Sequence, residues 1–147
     1  AVLQLLSYSK STAITQQLEH QFTTSDNMTD KLNTLKCSQI CSMNLFETLM
    51  LAFEQEYTEN AVVMDKWFAL HAATNCHDIL AKLTLLASHR QFNIKNPNKV
   101  RSLVGSFAVY NTEGFHSLDG SGYQFLTDYL IELDVLNPQI ASRLVTP

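Results

Sequence analysis

Glycine and proline are scarce, with four and three copies in 147 residues. An all-β fold needs them at its frequent turns, so their shortage, beside plentiful Leu and Ala, argues for helix. Long apolar runs are missing too: none approaches the roughly 18 to 20 residues a membrane-spanning helix needs. The apolar start, Ala1-Val2-Leu3-Gln4-Leu5-Leu6, has no basic flank and is too short for a signal peptide; it reads as the tail of a helix that begins upstream. An excess of positive charge is also absent. Fourteen acidic and ten basic residues are well mixed and sum to −4, which leaves no footprint for nucleic acid or an anionic membrane. Three cysteines, an odd number, exclude a disulfide framework and predict reduced thiols in a cytoplasmic protein.

Catalytic patterns are missing as well. A protease-type zinc helix needs His-Glu-x-x-His, two imidazoles one turn apart beside a carboxylate base. Here His20, His71, His77, His89 and His116 are followed by Gln21, Ala72, Asp78, Arg90 and Ser117, and no two histidines stand four apart. The nucleophile elbow Gly-x-Ser-x-Gly and the phosphate loop are also lacking, so Gly120-x-Gly122 is read as a turn. Cys37 and Cys41, with Cys76 and His77 downstream, are of zinc-binding type, but their spacing fits buried free thiols better than a structural site. Trp67-Phe68 is read as core packing, not a ligand platform. No catalytic residue and no metal ligand is assigned within the chain.

What is present is helical periodicity. At 46% hydrophobic residues and a mean hydropathy of −0.05, the chain suits a soluble domain with a real core. Apolar stripes predict helices over Thr12–Phe22 (Ile14, Leu18, Phe22), from Met28 (Met28, Leu32, Leu35 and Cys37 or Ile40 inward), and through Leu45, Phe46, Leu49, Met50 and Phe53 to near Tyr57. Others follow over Ala61–Thr74, from a cap at Asn75 through Ala87, over Lys99–Tyr110 and Tyr123–Leu136, with a last one opened by Asn137-Pro138 and running toward Pro147. The connections Ser88–Asn98 and Asn111–Gly122 are read as loops, with Asn96 extended because proline follows it.

A repeat underlies the pattern. Asp30-Lys31-Leu32, Asp65-Lys66-Trp67 and Asn98-Lys99-Val100, each with a leucine three residues after its apolar member, are spaced 35 and 33 residues apart, the length of one helix–turn–helix unit. The fold class expected is therefore all-α: a HEAT/armadillo-like superhelix of stacked antiparallel helix pairs, one domain over 1–147, truncated at both ends. Lys31, Lys66 and Lys99 recur in register and are read as a solvated ridge. Arg101, Gln139 and Arg143 fall on first helices of successive repeats, with Gln139 and Arg143 one turn apart on a single face; residue type alone makes that face solvated.

Longer segments carry a resemblance. Asp26-Asn27-Met28-Thr29-Asp30, Val63-Met64-Asp65-Lys66-Trp67-Phe68, Asn96-Pro97-Asn98-Lys99-Val100-Arg101-Ser102-Leu103, Phe115-His116, Asp119-Gly120-Ser121-Gly122-Tyr123 and Asn137-Pro138-Gln139-Ile140-Ala141-Ser142-Arg143-Leu144 resemble, in unbroken order, the C-terminal helical domain of the bacterial aminopeptidase N family. The resemblance implies a much longer parent, a cytoplasmic zinc metallopeptidase, whose β domain, thermolysin-like catalytic domain and β-sandwich precede this region. It places the zinc, its ligands and the general base outside this chain, which should itself be inactive. It implies that the helical domain caps the catalytic domain of the same polypeptide and encloses a cavity for peptide substrates. Gln139 and Arg143 match the Gln and Arg of the family's Asn-Pro-Gln-x-x-Ser-Arg segment, which reaches into that cavity near the pocket for the substrate's first side chain. Arg101 matches a basic position of the same domain. The rival expectation is a stand-alone helical-repeat scaffold that binds a protein partner.

Overall fold

The structure, a computed structural model, describes residues 2–145. The chain divides into two compact units, Ala1–Tyr57 and Thr58–Pro147. Among the described residues every regular element is helical and no strand occurs, so the all-α expectation holds.

The first unit contains α1 (Val2–Ser7), α2 (Thr12–Thr24), α3 (Met28–Cys41) and α4 (Met43–Tyr57). Ser11 and Asn27 start α2 and α3 by accepting from the backbone N–H three residues on, from Ile14 and from Asp30. Leu18, Leu35, Phe46 and Phe53 are fully buried where α2, α3 and α4 pack together. Met28 and Leu32, expected inward, are only half-buried, because α3 turns Lys31, Thr34 and Ser38 toward the core beside Leu35.

The second unit contains α5 (Ala61–Ala72), α6 (Ile79–Ala87), α7 (Pro97–Val100), a π-helical turn (Arg101–Gly105), α8 (Ser106–Tyr110), α9 (Thr112–Phe115), α10 (Ser121–Leu136) and α11 (Pro138–Leu144). Its centre is the packing of α5 against the π turn and α8, with Met64, Phe68, Val100, Leu103 and Phe107 fully buried. Trp67 is buried edge-on to Phe68 and His71, as expected of core aromatics.

Several boundaries differ from the sequence reading. The cap of α6 is Asp78 and not Asn75; α5 stops at Ala72, and a turn occupies the residues between. Asn96 is extended, as its proline demands, and its side chain caps α7, which starts at Pro97. The predicted helix Lys99–Tyr110 is interrupted by the π turn, and the predicted loop Asn111–Gly122 contains α9. Asn137 does open α11, accepting from Ile140 N at 3.2 Å with Pro138 at the first helical position. That helix ends at Leu144; Thr146 and Pro147, into which it was expected to run, lie outside the described residues.

The lysine ridge is overturned at two of its three positions. Lys66 is exposed, but Lys31 and Lys99 are only 6% and 3% accessible. The repeated segment does not keep its place within the helices: Lys31 is the fourth residue of α3, Lys66 the sixth of α5 and Lys99 the third of α7. A shift of even one residue rotates a side chain by about 100° around the helix, enough to carry it from surface to core. Lys31 reaches Glu56 Oε1 and Oε2 at 2.7 and 2.6 Å between the rings of Phe22 and Tyr57. Burial pulls its ammonium down, but the hydrogen bond and charge of Glu56 outweigh this and hold it above its ordinary value.

Candidate functional site

The three residues singled out for substrate contact, Arg101, Gln139 and Arg143, all belong to the second unit and all are exposed. Arg101 opens the π turn. Such turns, one residue wider than an α-helical turn, are frequent at functional sites. Ser102 and Gly105 lie inside the turn, and Ser106 follows it. The Ser102 hydroxyl donates to Lys99 O at 2.9 Å, and the Ser106 hydroxyl to Arg101 O at 3.5 Å, back-bonds that compete with regular helix. Arg143 stands in the last turn of α11, where a cation complements the helix dipole. Ile140, Ala141 and Leu144 bury the other side of α11, which leaves Gln139 and Arg143 turned outward one turn apart.

Arg101 and Arg143 line one concavity of about 520 Å³, shared with Asp65, Asn98, Tyr110 and Leu144. Gly105 forms part of its wall: a Cβ built there would lie 3.2 Å from Leu144 Cδ2 and 3.5 Å from Arg101 Cγ. Gln139 lies outside this concavity, on the same helix as Arg143. Asp65 also faces it, and its charge is already matched. Its Oδ1 is 2.8 Å from Lys99 Nζ, which also donates to Ala61 O at 2.8 Å and lies over the Phe68 ring. The ridge expectation hides this pair, because it sets Lys99 on the solvated side of its helix. The available signal was the place of Lys99 one turn before Leu103, on the side that also buries Val100.

A second concavity, about 690 Å³, lies between the residues around Cys76–Ala81 and the turn before α10. Its polar groups are mostly satisfied locally. Asp119 accepts from Ser121 N at 3.0 Å, Ser121 Oγ at 2.7 Å and Ser117 Oγ at 2.8 Å. These bonds, the Ser121 backbone N–H foremost, hold its carboxyl at about 2. His77 and Asp78 pair at 2.9 Å in open solvent, and the carboxylate raises the imidazole's affinity for a proton. Gly120, in the left-handed region at φ 74, is the N-cap of α10, while Ser121 and Gly122 are already its first two residues, so only the first glycine of Gly120-x-Gly122 lies in the turn.

Cys37 and Cys41 are buried in α3, with Cys41 Sγ 3.6 Å from the Thr15 hydroxyl, and Cys76 is half-buried in the second unit. Among the described residues no three His, Cys, Asp or Glu side chains converge as a metal ion would require. No helix among them is long and apolar enough to cross a membrane.

Comparison with known proteins shows which family the chain resembles along its length. Residues 1–147 match the family model described as a domain of unknown function (DUF3458_C) with ARM repeats. Aminopeptidase N of Haemophilus influenzae is 44% identical over 130 residues, 88% of this chain and 15% of that protein. Aminopeptidase N of Escherichia coli is 38% identical over 147 residues, 100% of this chain and 17% of its own length. A crystal structure of Legionella pneumophila aminopeptidase A in complex with aspartic acid superposes with a TM-score of 0.81 at 30% identity, covering 90% of this chain and 16% of that one. The chain thus spans only 15% and 17% of the two curated relatives named here.

Proposed function

The chain belongs to the ARM-repeat domain family that its full length matches, and on that premise we propose that it is the C-terminal helical part of a bacterial zinc aminopeptidase. The observation that carries this reading is the likeness to aminopeptidases in both sequence and structure, 38% identity over all 147 residues in one relative and a TM-score of 0.81 in another. The parent polypeptide removes N-terminal residues from peptides in the cytoplasm. The chain acts as a single domain that covers the catalytic cavity and supplies part of the substrate pocket. Its partners are the catalytic domain of the same polypeptide and the peptide itself.

The zinc is assigned to the catalytic domain of the parent, on the likeness to aminopeptidases. When bound in the parent, zinc supplies an activated water and a Lewis acid for the scissile carbonyl. The residues of this chain bind and orient the peptide. Gln139, exposed near the start of α11, accepts a hydrogen bond from a long basic side chain of the substrate. Arg143, one turn along the same face, orients Gln139 and bridging waters and opposes excess positive charge. Arg101 contributes from the π turn across the shared concavity.

Two preparations test this reading. The full-length polypeptide should release the amine from alanyl, arginyl and lysyl anilides and lose that activity on removal of zinc by a chelator. The chain of residues 1–147 alone should be inactive and hold no stoichiometric zinc by elemental analysis. A full-length polypeptide that is folded, zinc-replete and inactive on every aminoacyl anilide would favour the scaffold alternative.

A further inference from the structure

Three polar side chains lining the concavity between α11 and the π turn are already engaged. The Ser102 and Ser106 hydroxyls are spent on backbone carbonyls, and Asp65 is paired with Lys99. Arg101 and Arg143 are different. Both line the space, both are exposed, and among the described residues neither has an ion-pair partner. With Asp65 and Lys99 cancelling, two guanidinium charges remain, and each offers a planar fork of donors that matches an oxyanion. Gly105, which contributes no side chain between Arg101 Cγ and Leu144 Cδ2, keeps the space open. About 520 Å³ is the size of a small-ligand pocket and admits one or two residues of a peptide.

We propose that Arg101 and Arg143 together form a carboxylate subsite, which grips an acidic group of the bound peptide. This rests on the aminopeptidase reading above and adds a substrate class to it: peptides bearing a carboxylate, at the C-terminus or on a side chain, are bound better than neutral ones. Exposed guanidinium–carboxylate pairs are screened by salt, so the preference weakens as ionic strength rises.

The test uses the full-length enzyme and three tripeptides: Ala-Ala-Ala, its C-terminal amide, and the amide of Ala-Asp-Ala. Charge-assisted hydrogen bonds at a partly exposed site should favour Ala-Ala-Ala over its amide by about tenfold in kcat/KM. If Ala-Asp-Ala amide recovers the preference, a side-chain carboxylate serves; if it does not, the subsite reads the C-terminus. Either result supports the subsite when the double variant R101A/R143A brings the ratios to about one and R101K/R143K retains part of them. Equal kcat/KM on all three peptides in the wild type, or a double variant that loses rate on all three equally, overturns the subsite. Wild-type enzyme that cleaves none of them contradicts the aminopeptidase reading instead. Calorimetric titration with Ala-Ala-Ala and with its amide then still decides whether the two arginines select a carboxylate.

Discussion

Asn111 is the residue whose loss the fold should feel most sharply for its size. It is 1% accessible. Its Nδ2 donates to Ala72 O at 3.0 Å and Thr74 O at 2.9 Å, and its Oδ1 accepts from Gly114 N at 3.0 Å. One side chain thus closes the C-terminal end of α5 and caps α9. Asn111→Ala removes three hydrogen bonds worth about 1 kcal/mol each and strands buried carbonyls, so a loss of about 3 to 5 kcal/mol is expected. Asn111→Asp keeps the shape and separates the two roles. A carboxylate can still accept from Gly114 N–H but sets acceptors against the Ala72 and Thr74 carbonyls. Protonation would restore one donor, so the folded-state pKa of the new Asp must lie above its unfolded value near 3.9. A raised pKa contributes stability that is present below the unfolded value and lost as pH rises through the folded one. Asn111→Asp should therefore come closest to wild type at about pH 4 and lose ground steadily toward pH 7. Urea unfolding followed by circular dichroism at several pH values measures this, with an unchanged m-value marking a pure stability effect. An Ala variant within about 1 kcal/mol of wild type, or an Asp variant with no pH trend relative to it, would refute the reasoning.

Other perturbations follow the same physics. Burial, aided by the nearby charges of Lys82 and His89, lowers His71 to about 3, so the unfolded chain takes up a proton near pH 6.5 that the folded chain refuses. Stability from this group is full above pH 6.5 and falls by up to about 1.4 kcal/mol per pH unit toward pH 3, a slope that His71→Leu should remove in urea titrations at pH 4 to 6. Gly122→Ala should cost at least about 2 kcal/mol, since its Cβ would meet Gly114 O at 2.6 Å and Phe115 Cα at 2.7 Å, backbone that cannot step aside; thermal melts read the loss. Gly120→Ala meets nothing within 4 Å and should cost only the left-handed strain, about 1 kcal/mol. Lys99→Met leaves Asp65 unpaired at 23% side-chain exposure and should cost about 2 to 4 kcal/mol, whereas Lys31→Met, whose partner Glu56 is 46% exposed, should cost less; paired denaturation curves decide the order.

These residues also mark where the sequence was readable. Core stripes such as Ile14–Leu18–Phe22 and Val63–Met64–Trp67–Phe68 were legible because 3.6-residue periodicity states burial directly. So was Asn137-Pro138, whose capping chemistry is local. Lys31 and Lys99 were not, because a lysine is buried only when a distant partner, here Glu56 or Asp65, meets it. Nor was the π turn, since no residue pattern in Arg101–Gly105 marks a turn wider than an α-helical one; the segment packs against α5. At the candidate site, Arg101 and Arg143 were singled out by repeat position and resemblance. Their meeting in one concavity depends on the close approach of Leu144 to Gly105, which no local pattern encodes.

The claim that this helical face looks into a substrate cavity is tested most directly by Gln139→Ala in the full-length enzyme, with kcat/KM measured on arginyl, lysyl and alanyl anilides. The account predicts losses of about 1 kcal/mol, several-fold in rate, on the arginyl and lysyl substrates and a smaller loss on the alanyl one. Equal losses on all three, or no change on any, would contradict it.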